Sequence, residues 1–179
     1  MHRRALLRSG CVAALGVTAG CLDTVDRIVW SGGVGSLHRP GEIRLGDRDP
    51  ADGVGAGVIY SDADATDEVT ATADLPAAEA ITDTDWERNA LLVVQLSRPA
   101  DTAASIGFGP GGPERSGLRG LSADADARPW TGVPDSLADA DRLEYTLVQG
   151  FERPRAFVPR SATITLSGPD GRTLGRIDA

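Results

Sequence analysis

The sequence predicts a mainly β fold: a single antiparallel β-sandwich or small β-barrel with one or two short helices. Three observations support this prediction. Residues 90–96, ALLVVQL, form a continuous apolar run, as in a central strand that is covered on both faces. Other short segments alternate apolar with polar residues between turn-forming sequences. Only two segments have room for helices, and neither is long enough to organise the fold.

The predicted strands follow one another at short spacing. They comprise residues 42–45, 58–60, 68–72, 90–96, 104–108, 143–147, 162–166 and 172–177. The last two form a hairpin, because GPDG at residues 168–171 is a tight-turn sequence. The helical candidates are residues 75–81, with Pro76 near the first turn, and residues 134–143, with Asp135 as the cap.

The chain divides into three parts on composition. Residues 1–20 are a predicted signal peptide, residues 21–57 a lipidated N-terminus with a Gly/Pro/Asp-rich linker, and residues 58–179 a β-rich globular domain. One domain of this length buries about 70% of its unfolded surface, so it needs no disulfide. This agrees with Cys21 being the only cysteine after residue 20.

The first residues have the outline of a secretory signal. Arg3, Arg4 and Arg8 precede an apolar run of twelve residues, and no acid occurs before Asp23. A helix of that length would span about 18 Å, too short for a hydrocarbon core of about 30 Å. The pair Arg3-Arg4 before ALL is similar to a twin-arginine export signal. The alternative is ordinary positive charge that orients a general secretory signal.

A cysteine follows a run of small residues at the end of this signal. The segment resembles the lipobox of lipoprotein precursors through Thr18, Ala19, Gly20 and Cys21. The resemblance implies cleavage before Cys21, a thioether-linked lipid on its sulfur, and anchoring at the outer face of the cytoplasmic membrane. The alternative is cleavage after Ala19, which would leave a soluble secreted protein. An unpaired thiol is a liability outside the cell, which favours the lipid.

The part after the signal is strongly acidic and lacks lysine. Residues 21–179 contain 15 arginines and 26 acidic residues. Molar salt shortens the screening length to about 3 Å and suppresses the repulsion, so adaptation to high salt is the economical interpretation. The acid excess argues against a nucleic-acid partner, whose phosphates require clustered basic residues.

The leader, Cys21 and the lysine-free acidic body together resemble the surface lipoproteins of halophilic archaea. The stretch ITDTDWERNALLVVQL, residues 81–96, is also similar to small β-domains of the PrcB C-terminal type. This second similarity covers about half of the chain and carries no catalytic motif. It implies a β fold only.

Residue types exclude several catalytic classes. His38 is the only histidine after the leader, and no methionine follows Met1, so a blue-copper site or a Cys/His zinc site cannot be assembled. His38 falls in the predicted linker, where we expect a solvated loop residue and not a triad base. The run from Gly107 to Gly112 matches G-x-G-x-x-G, but Pro110 prevents a helix from starting there. We expect a wide loop between strands and no cofactor.

Two surface segments are weaker candidates for binding. The acidic residues Asp62, Asp64, Asp67 and Glu68 suggest a calcium loop, yet the turn glycine and the final glutamate of such loops are missing, which favours a solvated loop. A second segment gathers Arg153, Arg155 and Arg160 with two phenylalanines. It would suit an anionic protein or glycan partner, or its arginines pair with neighbouring carboxylates.

These observations predict a lipid-anchored extracellular binding or structural module and not an enzyme. The first alternative is a cell-surface hydrolase with a pair of carboxyl groups, since no other catalytic apparatus is present. A pocket with two carboxyl groups about 5–10 Å apart, one of them desolvated, would favour that alternative. The second alternative is a calcium-stabilised adhesion module.

Overall fold

The structure is a computed structural model that describes residues 29–52, 54–63, 65–72, 74–109, 112–152 and 159–179. It is mainly β and forms no closed barrel within these ranges, so the sandwich alternative of the predicted fold class is confirmed. Its strands are β1 (Trp30–His38), β2 (Ile43–Leu45), β3 (Ala56–Tyr60), β4 (Val69–Ala71), β5 (Asn89–Pro99), β6 (Ala104–Phe108), β7 (Glu114–Ser116), β8 (Gly120–Pro129), β9 (Arg142–Glu152), β10 (Ser161–Ser167) and β11 (Thr173–Asp178).

The helices are short. The α-helices are α1 (Ala65–Glu68) and α2 (Pro76–Thr82), and single 3₁₀ turns occur at Pro50–Asp52, Ala100–Thr102 and Asp135–Leu137. Helix α2 confirms the prediction for residues 75–81, with Pro76 at its start, where proline costs no hydrogen bond. The prediction of a helix over residues 134–143 is wrong beyond the 3₁₀ turn, because Arg142 already begins strand β9.

Two sheets pack against each other. The first has the order β1-β9-β5-β3, with every pair antiparallel, and the second has the order β11-β10-β8-β6, with β7 also paired to β8. Strands β8 and β10 run parallel, which is one departure from the predicted antiparallel arrangement. A separate ribbon of β2 and β4 lies beside the first sheet.

Strand β5 is covered on both faces, as its apolar run predicts. Its residues Ala90, Leu92, Val94 and Leu96 belong to the main core between the two sheets. Leu91 and Val93 point the other way and pack with helix α2 and strand β2. Complete burial of such a side chain contributes about 1.5–3 kcal/mol to the stability of the fold. Strand β5 therefore stabilises both cores.

The linker predicted over residues 21–57 is wrong from Trp30 onward. Residues 30–38 form β1, which pairs with β9 along its length, and the segment from Pro40 to Ala51 folds against the same sheet. Some of the glycines that suggested a linker are packing positions: a Cβ built at Gly35 would overlap the ring of Tyr145, whereas one at Gly32 would meet nothing within 4 Å. Close approach of neighbouring groups requires glycine there.

Candidate functional site

Six buried polar residues form one patch on the first sheet. Of the residues that the structure describes, these are all the buried polar ones: Ser36, His38, Gln95, Ser97, Glu144 and Thr146. They occupy adjacent positions on three neighbouring strands in two rows, Ser36–Thr146–Gln95 and His38–Glu144–Ser97. All six lie on the face that turns away from the main core. We call this set the polar patch.

The patch contains a directional chain of hydrogen bonds. The Gln95 Nε2 donates to Thr146 Oγ1 over 2.9 Å, and the Thr146 hydroxyl lies 2.7 Å from His38 Nε2. The other ring nitrogen, His38 Nδ1, lies 2.9 Å from the carbonyl oxygen of Arg39 and must donate to it. Burial favours the neutral imidazole, in which His38 Nε2 accepts a hydrogen bond from the Thr146 hydroxyl.

His38 is fully buried, so the expectation of a solvated loop residue is wrong. Burial lowers the pKa of its imidazole from the ordinary value of 6.5, against the Arg39 carbonyl and Glu42, which raise it. The residues around this position do not predict its burial, because the strand is rich in glycine. Its burial depends on β9 lying alongside.

Gln95 has one polar atom without a partner. Its Nε2 donates to the backbone carbonyl of Ile43 as well as to Thr146, and this fixes the orientation of the amide. Its Oε1 is buried and accepts no hydrogen bond from the described residues. A buried acceptor in this condition costs about 1–3 kcal/mol. The hydrogen-bonding groups of His38 therefore have partners, whereas Gln95 Oε1 has none among the described residues.

A cavity of about 490 Å³ adjoins the patch. Gln95, Ser97 and Glu144 line it from the sheet, and the segment from Pro40 to Ala51 lines it from the opposite side. Arg142, at the start of β9, completes the lining and donates a 3.2 Å hydrogen bond to Ser97 Oγ. A volume of this order suits a small ligand.

Glu144 is the buried acid of the cavity. Burial raises the pKa of its carboxyl above the ordinary value of 4.5, and nearby Asp49 adds to this effect. The Gly41 N–H, 3.3 Å from Oε2, opposes it together with Arg142 and Arg44. The protonation of Glu144 therefore depends on its burial and on the charges of one carboxylate and two guanidinium groups.

The remaining charged residues of the cavity are exposed. They are Arg44, Asp47, Arg48, Asp49 and Arg142. Within the described ranges no ion pair joins any of them to another residue, although Arg48 donates a hydrogen bond to the Gly57 carbonyl. Both signs of charge are thus present at the cavity and available to a ligand.

The residues predicted for export and lipidation lie outside the described residues, namely Arg3, Arg4, Thr18, Ala19, Gly20 and Cys21. Their roles stay predictions. Where the chain is described, no helix has the length and apolar character needed to cross a bilayer.

The described residues of the predicted calcium loop and arginine segment are not among those that line the cavity. Asp67 and Glu68 belong to α1, Asp62 precedes it, and Asp64 falls outside the described residues. Over the described ranges no three His, Cys, Asp or Glu side chains are grouped to hold a metal ion. Of the arginines, Arg160 is exposed and its N–H donates to the Arg119 carbonyl, whereas Arg153 and Arg155 lie outside the described residues.

Comparison with known proteins does not assign the chain to a family. No family profile matches the chain, and no curated protein and no solved structure matches it significantly. The function must therefore be inferred from the geometry of the cavity and from the sequence.

Proposed function

We propose that this protein is an extracellular, lipid-anchored binding module that captures a small polar solute in the cavity beside the polar patch. The observation that carries the proposal is the patch itself. Six polar side chains are buried together on one sheet face, and three of them line the cavity. Burying polar groups is costly unless they gain partners, so such a concentration favours a functional role over a purely structural one.

The cavity suits a polar solute and not an apolar one. Its apolar lining residues are only Pro40, Ile43, Pro50 and Ala51, and no aromatic residue of the described chain lines it. Sites for apolar drug-sized ligands are lined mainly by hydrophobic and aromatic side chains. Here the exposed arginines and aspartates of the lining offer hydrogen bonds and charge.

A thermal-shift panel tests the binding proposal. The full-length protein in detergent and molar KCl is heated with amino acids, carboxylic acids, neutral sugars, sugar acids or inorganic phosphate, and intrinsic tryptophan fluorescence reports unfolding. We expect at least one class to raise the Tm of the wild type but not of Arg44→Ala. The matched control Arg172→Ala removes an exposed arginine of the hairpin and should respond like wild type. No shift with any class would contradict the proposal.

The anchor is supported by the residues 18–21 motif and the paired arginines. Mass spectrometry of the membrane-extracted N-terminus should show a lipid-modified Cys21, and Cys21→Ser should move the protein from the membrane to the medium. An unmodified N-terminus after residue 19 would instead support the soluble secreted form.

A hydrolase is the second candidate, and one observation favours it. Glu144 is desolvated and lines the cavity together with Asp49, and general acid–base hydrolysis uses two carboxyl groups. Assays with chromogenic glycosides test this candidate. Turnover that Glu144→Gln abolishes would establish it, and absence of turnover by a wild-type protein that binds its solute would reject it.

A further inference from the structure

We infer that the ligand of the cavity is a zwitterion, an α-amino acid or a short peptide. The inference rests on the proposed binding function and specifies the chemistry of that site. It is carried by two features: the charges that line the cavity, and a buried acceptor of the lining residue Gln95 that has no donor among the described residues.

The first feature is the presence of both charge signs in equal number. Three arginines, Arg44, Arg48 and Arg142, share the lining with three acids, Asp47, Asp49 and Glu144. A simple anion would pair with the guanidinium groups but would also meet three carboxyl groups. A simple cation would pair with the carboxyl groups but would also meet three guanidinium groups. Like charges brought together inside a cavity oppose binding, so a ligand with both signs fits best.

The second feature concerns the hydrogen-bond donors of the ligand. Gln95 Oε1 needs a hydrogen-bond donor, since the Nε2 of the same amide is held by the Ile43 carbonyl and by Thr146. A carboxylate offers only acceptors, whereas an ammonium group offers three donors. Gln95 lines the cavity, so a ligand group that reaches this acceptor has to be a donor, in addition to the anionic group that suits the arginines.

The two ends of such a ligand have partners in the lining. Arg44 and Arg142 line the same cavity as Asp49 and Glu144. An α-amino acid carries its two charges on a single carbon, so its carboxylate can pair with the guanidinium fork while its ammonium group meets Glu144 or Asp49.

Size and lining agree with this ligand class. A cavity of about 490 Å³ accommodates an amino acid or a dipeptide. Nothing aromatic from the described residues lines it, so it offers no stacking platform for a nucleobase or a sugar ring.

A matched series of probes tests the inference by isothermal titration on the full-length protein in molar KCl. L-alanine carries both charges, lactate replaces the ammonium group by a hydroxyl, propionate has the carboxylate alone, and ethylamine has the ammonium group alone. L-alanyl-L-alanine extends the zwitterion. We expect alanine or the dipeptide to bind at least tenfold more tightly than the other three, and Glu144→Gln to reduce that preference at least threefold.

The outcomes separate this inference from the proposed function. If lactate or propionate binds as tightly as alanine, or if only another class in the thermal-shift panel binds, the zwitterion inference is wrong and the binding function stands. If no solute in either experiment binds, both are wrong. Binding of alanine that Glu144→Gln and Arg44→Ala leave unchanged would place the ligand elsewhere and overturn the inference.

Discussion

The imidazole of His38 and the hydroxyl of Thr146 are joined by a 2.7 Å hydrogen bond, although 108 positions separate them in the chain. The bond links β1, the first described strand, to β9 in the middle of the sheet. Thr146 also accepts from Gln95 on β5, so one hydroxyl connects three adjacent strands. The polar patch beside the cavity is organised around this residue.

Thr146→Val should lower the free energy of unfolding by about 2–3 kcal/mol. The isosteric change leaves His38 Nε2 without its donor and Gln95 Nε2 without one acceptor, and each buried unpaired group costs about 1–3 kcal/mol. Chemical denaturation in molar KCl measures the loss. Thr165→Val on β10 is the control, since its partly exposed side chain should change stability by less than about 0.5 kcal/mol. Equal effects of the two changes would contradict this account.

Tyr60→Phe should leave stability unchanged or raise it by up to about 1 kcal/mol. The Tyr60 hydroxyl is buried and has no partner among the described residues, so its removal relieves an unsatisfied group. Burial, with Glu68, also raises the pKa of this tyrosine to about 12, although Arg48 opposes the shift. The same denaturation measurement applies. A loss above about 1 kcal/mol would show that the hydroxyl has a partner.

Gly35→Ala should destabilise the protein by about 2–3 kcal/mol, because the added methyl would overlap the ring and hydroxyl of Tyr145. Gly32→Ala on the same strand is the matched control. A Cβ at Gly32 meets nothing within 4 Å, so this change should be neutral or slightly stabilising. Thermal unfolding of the two variants distinguishes packing glycines from linker glycines. Two neutral substitutions would support the linker that the sequence predicted.

His38 should make stability depend on pH below 6.5. Burial lowers the pKa of the folded-state imidazole from the ordinary value of 6.5, so the unfolded chain binds the proton first as the pH falls. The stability contributed by the neutral ring is complete above pH 6.5 and is lost as the pH falls toward the lower folded-state pKa. The stability difference between wild type and His38→Gln should therefore shrink between pH 7.5 and pH 5. Glu144, whose Oε2 lies 4.0 Å from His38 Nδ1, has a raised pKa and acts on stability in the opposite direction, so the two proteins are compared in a Glu144→Gln background.

The strands that the sequence predicted best are those whose pattern follows from packing alone. The apolar run of β5 and the hairpin of β10 and β11 need no distant partner to be recognised. Strand β8 was missed because its inward residues are mainly alanines between aspartates, Ala123, Ala125 and Ala127, and small side chains give a weak apolar signal. The alternation was nevertheless present in SADADA.

The candidate site was not predicted from the sequence, for a different reason. His38 and the segment from Pro40 to Ala51 look like linker, because glycine, proline and aspartate dominate them. Their positions depend on pairing between β1 and β9, a contact far apart in sequence. In the sequence, Glu144 occupies a polar position of an alternating strand, which suggested a surface residue. It is buried because the segment from Pro40 to Ala51 folds over it.

The most direct test of the central claim is a titration of the ¹⁵N-labelled full-length protein with L-alanyl-L-alanine, followed by NMR. We predict that the largest shifts occur at the side-chain amide of Gln95 and at the backbone amides of Gly41, Arg44, Ser97 and Glu144. Shifts that are absent, or that concentrate on the second sheet around Asp124 and Thr165, would contradict the assignment of this cavity as the binding site.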